Sequence, residues 1–308
     1  MPKKAAAPKH QYTFGDITVE LTNVDRIVFP DLGIAKKEVL DYYYRVADLM
    51  LPELRDRPLT MERFTKPVTS GGFFQKHAQK HYPPWIDRVV IGGKTTVEYP
   101  IANSAAALVY FANQGGVAFH IWTSRTTDLD HPDLVVFDLD PPDGKFDLVV
   151  QVAKLLHELL DDLGLPAFVK TTGSKGLHVV VPVDGVATYA QVNELLQAVA
   201  KLLCGRFPEL VTLEFYKKDR KGRLFFDTLR NVAGATFVAP WSLRGRPGAP
   251  ISAPLTWPEL DDPKLRANSI GLRDFQARFD AHGDPWYGFR KHPGSVASAM
   301  RKLARFKK

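Results

Sequence analysis

With 308 residues the chain has room for one large domain or two modest ones and an ample core. Its single cysteine, Cys204, excludes internal disulfides and cysteine-cluster zinc sites, no apolar run is long enough to span a bilayer, and the first residues carry no signal-peptide pattern, so a reducing cytoplasm is the simplest home. A total of 41 Lys and Arg against 34 Asp and Glu gives a net charge of +7, a balance that suits a polyanionic partner rather than a membrane interior.

Residues 1–12, rich in Lys, Ala and Pro, read as a disordered basic tail, and the folded part opens at residues 21–30. Residues 36–50 read as a helix with Val39, Tyr43, Val46 and Met50 on one face and Pro52 beyond its end. Lys36 and Lys37 stand at its start, with Arg26 ahead of them. Cations there oppose the helix dipole, whereas a bound phosphate would suit both. In residues 70–77, Phe73 and Phe74 follow two glycines and precede Lys76. They form either a stacking platform for bases or a pair of core phenylalanines. His77 and His81 share an i, i+4 spacing, but Ala78 stands where a zinc-protease helix carries Glu, so no zinc site is read there. Residues 102–113 read as a helix stopped by Gly115 and Gly116. The following strand, 117–122, puts His120 on the face opposite Val117, Phe119 and Ile121. A lone strand histidine is ordinarily structural.

Residues 134–140 are the most informative stretch. Leu134, Val135, Val136 and Phe137 make a buried strand that Pro141 ends. Strand periodicity places Asp138 and Asp140 on one face and Val135, Phe137 and Leu139 on the other. Two readings of the paired acids stand: oxygen ligands for a divalent cation, or a solvated strand end whose acids cap the next turn. Asp147 then caps a helix whose apolar face is Leu148, Val152, Leu155, Leu156, Leu159 and Leu163, stopped by Gly164 and Pro166. Strands at 167–170 and 177–182 flank a loop, 171–176, with Thr172, Ser174, Lys175 and two glycines. Lys170 and His178 bracket it. The loop is either a cradle for a triphosphate or an ordinary glycine-bearing hairpin, and its spacing is not that of a Walker A motif. Thr188 and Gln191 form a capping box for a helix with Val192, Leu195, Leu196, Val199, Leu202 and Leu203 inward, ending at Gly205. Residues 211–216 and 223–227 read as strands joined by a charged hairpin, the second ending in Asp227 and followed by Arg230 and Asn231. A third carboxylate beside Asp138 and Asp140 would complete a two-metal site for phosphoryl or nucleotidyl transfer. Arg244 and Arg246 lie in a Pro/Gly-rich stretch, 240–250, placed to wrap over such a site and clamp a phosphate, or to remain surface loop residues. With no repeats, no Gly/Ser linker and no strong internal boundary, the alternation of hairpins and helices indicates an α+β fold rather than a doubly wound sheet.

As an ordered set, these elements resemble the archaeo-eukaryotic primase superfamily and, within it, the polymerase domain of bacterial DNA ligase D. The likeness runs from residue 21 to about residue 286. It rests on Asp138-x-Asp140, Gly176-Leu177-His178 and the strand-end Asp227, with family-like runs at 136–141, 173–179, 227–231 and 238–244. The resemblance implies a primase-type catalytic core of antiparallel and mixed sheets with an RRM-like part, flanked by helices. It implies one primase-polymerase domain over residues 13–290, with 13–100 contacting DNA and 101–290 forming the catalytic core, and basic tails at 1–12 and 291–308. Asp138, Asp140 and Asp227 would hold two divalent ions, Mn2+ or Mg2+. Thr172, Ser174, Lys175, Gly176, His178 and Arg244 would bind the triphosphate of an incoming NTP or dNTP, with His120 near its sugar. Phe73 and Phe74 would stack on the template at a break, Arg26 and Lys36 would grip a downstream 5′-phosphate, and Lys37 and Lys76 would also face DNA. Arg26 stands where the family pattern has Lys, which keeps the charge, changes its geometry and bears on phosphate affinity. The implied function is gap filling and end extension in bacterial non-homologous end joining, with ribonucleotides preferred. DNA ends or gapped DNA, Ku and a separate ligase are the expected partners, and the nucleoid the expected location. The 308 residues are expected to be a free-standing polymerase module or an excised one. A primase-polymerase for replication priming or damage bypass, a non-catalytic DNA-end-binding module and a metal-dependent phosphohydrolase are the alternatives.

Overall fold

The computed structural model describes residues 10–92, 96–142, 144–227 and 231–306. In chain order the elements are β1 (Gln11–Phe14), β2 (Ile17–Glu20), β3 (Ile27–Phe29), β4 (Ile34–Ala35), α1 (Lys36–Leu54), β5 (Leu59–Arg63), β6 (Phe73–Gln75), β7 (Arg88–Ile91), β8 (Val97–Pro100), α2 (Ala105–Asn113), β9 (Gly116–Ile121), β10 (Leu134–Asp140), α3 (Phe146–Leu163), β11 (Phe168–Thr171), β12 (Leu177–Pro182), α4 (Tyr189–Arg206), β13 (Val211–Thr212), β14 (Leu224–Asp227), β15 (Phe237–Val238), β16 (Pro254–Leu255), α5 (Phe275–His282) and α6 (Val296–Leu303). Among the described residues a six-stranded sheet runs in the order β13-β14-β10-β12-β11-β16, and a four-stranded sheet in the order β15-β9-β5-β6. Their pairings are antiparallel except β13 with β14, so the fold is α+β with mixed sheets, as the hairpin pattern predicts.

The pleat of β10 divides the molecule. Val135, Phe137 and Leu139 join Val149, Leu156, Leu195 and Leu303 in one core, under α3, α4 and α6. Leu134 and Val136 face the other way, into a second core with Phe119, Ile121, Tyr43 and Phe111 from β9, α1 and α2. Each strand residue follows the period of two. Asp138 and Asp140 therefore emerge on the face that looks toward the second core and the four-stranded sheet, the split anticipated from the sequence.

Several expectations are corrected. Residues 11 and 12, expected in a tail, belong to strand β1, where Tyr12 stacks on Tyr44 with ring centroids 4.5 Å apart. Helix α1 continues past Pro52 to Leu54; in the last turn the proline lacks only one hydrogen bond of a helix already ending. Lys145, not Asp147, is the N-cap of α3; Asp147 sits in the first turn, where it suits the dipole, and Leu148 and Leu155 flank the buried stripe. The 211–227 segment is not a hairpin. β13 and β14 run parallel, and Leu213, Phe215 and Tyr216, whose alternation suggested a longer strand, are exposed. The basic tail at 291–308 contains α6, whose Val296, Ala299 and Leu303 are buried against α3 and α4 while Arg301 faces water. A division near residue 100 does not follow the sheets, since β5 and β6 pair with β9 across it.

A buried ionic network ties the two halves. Arg57, fully buried, donates to Asp133 Oδ1 at 2.5 Å and to the Trp122 carbonyl at 3.1 Å. Arg125 and Arg290 reach Asp133 Oδ2 at 2.8 and 3.0 Å, and Arg290 also pairs with Glu53 through Nε at 2.9 Å. The end of α1, the connection into β10 and the chain leading to α6 thus meet at one carboxylate. Burial alone would raise the Asp133 carboxyl, but Arg57, Arg290 and Arg125 together hold it below the usual carboxylate range. Burial lowers Arg57 to about 10 against the pull of Asp133, so it stays charged at neutral pH. Asp133→Asn is expected to lower stability by about 3 kcal/mol at pH 7, because it leaves buried guanidinium groups under-compensated. A depressed folded-state pKa means that this contribution is complete above the ordinary carboxylate pKa and fades as pH falls through the lower folded value. Urea denaturation at pH 7 and at successively lower pH should show the difference between wild type and Asp133→Asn shrinking in acid.

Candidate nucleotide and metal site

The antiparallel register aligns four chemical side chains in a row across the six-stranded sheet. Lys170 of β11 lies opposite His178 of β12, His178 opposite Asp138 of β10, and Asp138 opposite Asp227 of β14. Directly opposed residues of antiparallel strands share a face. The row therefore projects from the side that carries Asp140, two residues further along β10. His178 Nε2 stands 3.4 Å from Asp138 Oδ1. Burial, with Lys170 adding to it, lowers His178 to about 4 against the pull of Asp138, so at neutral pH the imidazole is uncharged. Lys170 is fully buried; its ammonium donates to Ser252 Oγ at 2.5 Å, and burial holds it well below the ordinary lysine range.

A cavity of about 330 Å³ opens over this row. Asp138, Asp140 and His178 form its floor, Thr172, Ser174 and Lys175 one wall, Arg244 and Arg246 another, and His120 with residues 235–238 the far side. Nearly every residue expected at the nucleotide is thus gathered, from stretches as distant as 120 and 246. Gly176 is the exception. A Cβ there would lie 2.0 Å from the Leu139 carbonyl oxygen, so this glycine lets the loop press onto β10 rather than onto a ligand. Gly173 has φ +63°, and a Cβ would meet the Arg244 Cγ at 2.7 Å, so it too serves the fit of the loop. Thr172 lines the cavity, but its hydroxyl is engaged within the loop, donating to the Gly176 carbonyl at 3.1 Å and accepting from the Ser174 and Gly176 amides at 3.3 and 3.2 Å.

Arg244 is anchored from both sides. Its Nη1 donates to the Thr172 carbonyl at 3.1 Å, and burial followed by Arg246 lowers its pKa. The backbone before it is bolted to α1: Tyr42 donates to the Trp241 carbonyl at 2.6 Å, while the Tyr43 hydroxyl donates to Val117 O of β9 at 2.6 Å and accepts from the Leu243 amide at 3.0 Å. Ser242 Oγ accepts from the Phe119 amide at 2.8 Å, beside His120. Arg244 Nε and His178 Nδ1 are buried without hydrogen-bond partners, and polar atoms so placed suit a bound polar ligand.

Three carboxylates supply only hard oxygen donors, the set that suits Mg2+ or Mn2+ and not a soft metal. Asp138 and Asp140 share the cavity floor and Asp227 is a strand neighbour of Asp138. Among the described residues, no three His, Cys, Asp or Glu side chains converge as a ready-made ligand group. The donor chemistry fits a divalent cation, and Asp227 is placed to join by strand register.

A second pocket, about 250 Å³, forms at the start of α1 from Thr22, Asn23, Arg26, Lys36, Phe64 and Asn113. Lys36 is buried; its ammonium donates to the Thr22 carbonyl at 2.5 Å and to Asn113 Oδ1 at 2.8 Å. Burial and Arg26 lower it to about 8. Arg26 Nη1 is buried without a hydrogen-bond partner. Lys37 is not part of this pocket: it pairs with Asp41 and lies 5.4 Å from the centre of the Tyr12 ring. Phe73 and Phe74 are 48% and 60% exposed on the edge strand β6, which excludes the core reading. Phe74 meets the His120 ring edge-on at 5.4 Å and so stands beside a residue of the cavity, Phe73 lies 5.6 Å under the Arg63 guanidinium, and Lys76 is exposed just beyond. Arg230 lies outside the described residues.

Sequence reasoning left the structural roles of three residues open. Lys170 was read as a cation flanking the loop and in the structure ends the row beside His178, Tyr43 was read only as an apolar helix position, and Asn231 was only one residue of a family-like run. Fully buried, Asn231 bonds both backbone groups of Val136, Oδ1 accepting at 2.9 Å and Nδ2 donating at 2.7 Å, and so holds β10 as a further strand would. The strand register was the missing signal for the first.

This constellation can be compared with known proteins. The family model described as "LigD, primase-polymerase domain" matches residues 35–286. The chain belongs to the LigD primase-polymerase domain family. It is therefore a nucleotidyltransferase of the polymerase type. It is 36% identical over 272 residues to the multifunctional non-homologous end joining protein LigD of Mycolicibacterium smegmatis, covering 86% of this chain and 35% of that protein. It is 34% identical over 290 residues to the Pseudomonas aeruginosa LigD, covering 92% and 34%. The Bacillus subtilis bifunctional LigD is 30% identical over 277 residues, with 89% and 44% covered. The chain thus spans about a third to under half the length of these curated relatives. The solved polymerase domain of Mycobacterium tuberculosis ligase D in complex with DNA superposes with a TM-score of 0.83 at 34% identity, over 90% of this chain and 99% of that one. No helix among the described residues is long and apolar enough to cross a membrane.

The bolt between α1 and the Arg244 segment is open to test. Tyr43→Phe removes the shared hydroxyl and leaves the buried Val117 carbonyl and Leu243 amide without it. Stability measured by urea denaturation should fall by about 1–3 kcal/mol.

Proposed function

We propose that this primase-polymerase domain extends a primer strand at DNA ends and short gaps in bacterial end joining, preferring ribonucleotides and using two divalent ions held by Asp138, Asp140 and Asp227. The carrying observation is one cavity lined both by Asp138 and Asp140, with Asp227 opposite Asp138 in the sheet, and by Lys175, Arg244 and Arg246. Carboxylates gathered with Ser174, Lys175 and Arg244 suit a nucleoside triphosphate held between metal ligands and phosphate clamps. Bound there, divalent ions lower the pKa of the attacking 3′-hydroxyl and neutralise the charge developing on the leaving pyrophosphate. Neutral His178 neither competes as a cation nor repels the ions, and it holds Asp138 in place. His120 lines the cavity and meets Phe74, and in this reading it would lie beside the sugar of the nucleotide.

The pocket at the head of α1 favours gap filling over priming on an unbroken strand. A buried lysine beside a half-buried arginine costs desolvation, and an anion such as a 5′-phosphate would compensate both. Phe73 and Phe74 between the two pockets would stack on a base exposed at the break, with Lys76 on the backbone. DNA with a 5′-phosphate, NTPs or dNTPs, a Ku-type end-binding protein and a ligase are the partners this reading requires. Its relatives carry end joining in their names, which supports the same assignment.

Primer extension with Mn2+ on a gapped duplex tests the reading. Asp138→Ala should lower the rate at least about 100-fold with thermal stability retained, and unaltered extension would sink the metal assignment. Ribonucleotides should be incorporated more efficiently than deoxynucleotides. Synthesis without a primer would instead favour a priming role, and phosphate release from free nucleotides would indicate a hydrolase. A 5′-phosphate on the downstream strand should tighten DNA binding, and Lys36→Ala should abolish that gain. Lys36 carries its charge below about pH 8, so the phosphate-dependent gain in affinity should be full at pH 7 and decline toward pH 9. Fluorescence anisotropy with 5′-phosphate and 5′-hydroxyl duplexes at each pH reads this directly.

A further inference from the structure

Beside the loop that lines the nucleotide cavity lies another cavity, about 350 Å³, lined by Pro141, Pro142, Phe146, Ser174, Lys175, Arg220 and Arg266, with Gly144, Gly222, Ala267 and Asn268. Ser174 and Lys175 line both cavities, so the two adjoin across those side chains. Lys175, Arg220 and Arg266 supply three cations, and among the described lining residues there is no carboxylate. Arg220 is half-buried and Arg266 exposed, and each is held by nearby backbone carbonyls. Arg220 donates to the Glu214 and Phe215 carbonyls at 3.2 and 2.7 Å and lies over the Phe225 ring at 4.2 Å. Phe225 is the β14 residue opposite Asp140, so this guanidinium is stationed next to the carboxylate end of β10. Arg266 Nη1 donates to the Pro263 and Leu265 carbonyls at 2.8 and 2.7 Å. Cations fixed in advance by backbone carbonyls lose little freedom when they bind an anion.

We propose that this second cavity is the exit station for the pyrophosphate product, with Arg266 and Arg220 receiving it from Ser174 and Lys175. The inference rests on the nucleotidyl-transfer reading above and deepens it. In that reaction the primer 3′-oxygen forms a bond to the α-phosphorus and loses its proton. The bond from the α-phosphorus to the bridging oxygen breaks, and pyrophosphate leaves with that oxygen and its electron pair. The leaving group starts at the loop shared by both cavities. A cationic cavity adjoining that loop gives it a destination other than the space occupied by sugar and template. The size and charge of the cavity suit a small polyanion, and Arg266 lies outside the lining of the first cavity, where the incoming nucleotide sits.

The experiment is steady-state primer extension at fixed free Mn2+ with added inorganic pyrophosphate as a product inhibitor, for wild type, Arg266→Ala and Arg266→Lys. DNA affinity is measured in parallel by anisotropy, and folding by thermal melting. The expected result is a five- to ten-fold rise in the pyrophosphate inhibition constant for Arg266→Ala. The nucleotide KM and the DNA Kd should stay within two-fold, and Arg266→Lys should recover part of the loss. An unchanged inhibition constant overturns the proposal. So does a DNA Kd that rises in step with it, which would assign the cavity to the nucleic-acid backbone. If Arg266→Ala melts early, Arg266→Gln, which keeps a donor to the Pro263 and Leu265 carbonyls, takes its place under the same criteria. Wild type that extends no primer would refute the polymerase reading itself, a failure visible before any variant is compared.

Discussion

Like-charge repulsion is the constraint on which this structure turns. Strand geometry puts Asp138 and Asp140 on one face of β10, and sheet register adds Asp227 directly opposite Asp138. Carboxylates that close in a partly enclosed cleft cannot all remain ionised without opposing charge. The protein supplies some of it itself. Lys170 and His178 continue the row on the other side of Asp138, and Arg244 leans in from the loop above. Yet Lys170 is held well below the ordinary lysine range and His178 is uncharged at neutral pH. A divalent cation is a group whose charge and preference for oxygen ligands would suit such a set of carboxylates. A site built this way is selective in both directions, attracting hard cations to its floor and phosphates to its walls.

The surrounding fold keeps that arrangement stiff. β10 is a central strand, paired on both sides, and its neighbour Asn231 adds two more backbone bonds at Val136. Its apolar face is locked under α3 and α4. The Arg244 segment, by contrast, belongs to a Pro/Gly-rich stretch with little regular structure of its own. Its position comes from α1, through Tyr42 and Tyr43, and from β9, through Ser242. The helix that carries the Lys36 pocket at its head therefore also positions the Arg244 segment two turns later. The two proposed anion sites share one rigid element, and their separation is fixed by it rather than by flexible loops.

What could be read from the chain alone followed from how local each signal was. The split of β10 into an acidic and an apolar face needs only a period of two, and the structure has it residue for residue. The Thr188 capping box and the Gly164 stop of α3 were equally local, and both are present. The loop glycines were legible as glycines but not in their role, because their close neighbours, Leu139 and Arg244, come from elsewhere in the chain. The parallel pairing of β13 and β14 was illegible for the same reason: exposed Phe215 and Tyr216 imitate the alternation of a half-buried strand. The N-terminal strand and α6 were obscured by their Lys and Arg content, though a few aromatic or apolar residues in each suffice to dock it. Lys37 was read from its position at a helix start, whereas its side chain is drawn off by Asp41 four residues along the helix.

Burial of Lys36 carries a further consequence. A solvated lysine at a helix start costs little and implies little. Lys36, however, is 4% exposed, next to a half-buried arginine, and its ammonium meets a carbonyl and an amide oxygen. Two neighbouring cations withdrawn from water destabilise the free protein, and a core of ordinary composition gives no packing reason for keeping them there. The arrangement is reasonable when an anion occupies the pocket for part of the working cycle, since the same low dielectric that makes the empty pocket unfavourable strengthens every contact to a bound phosphate. A surface lysine pair would bind any backbone phosphate in passing. A recessed pair accepts one that protrudes, and the terminal phosphate of a broken strand is the phosphate of DNA that does so.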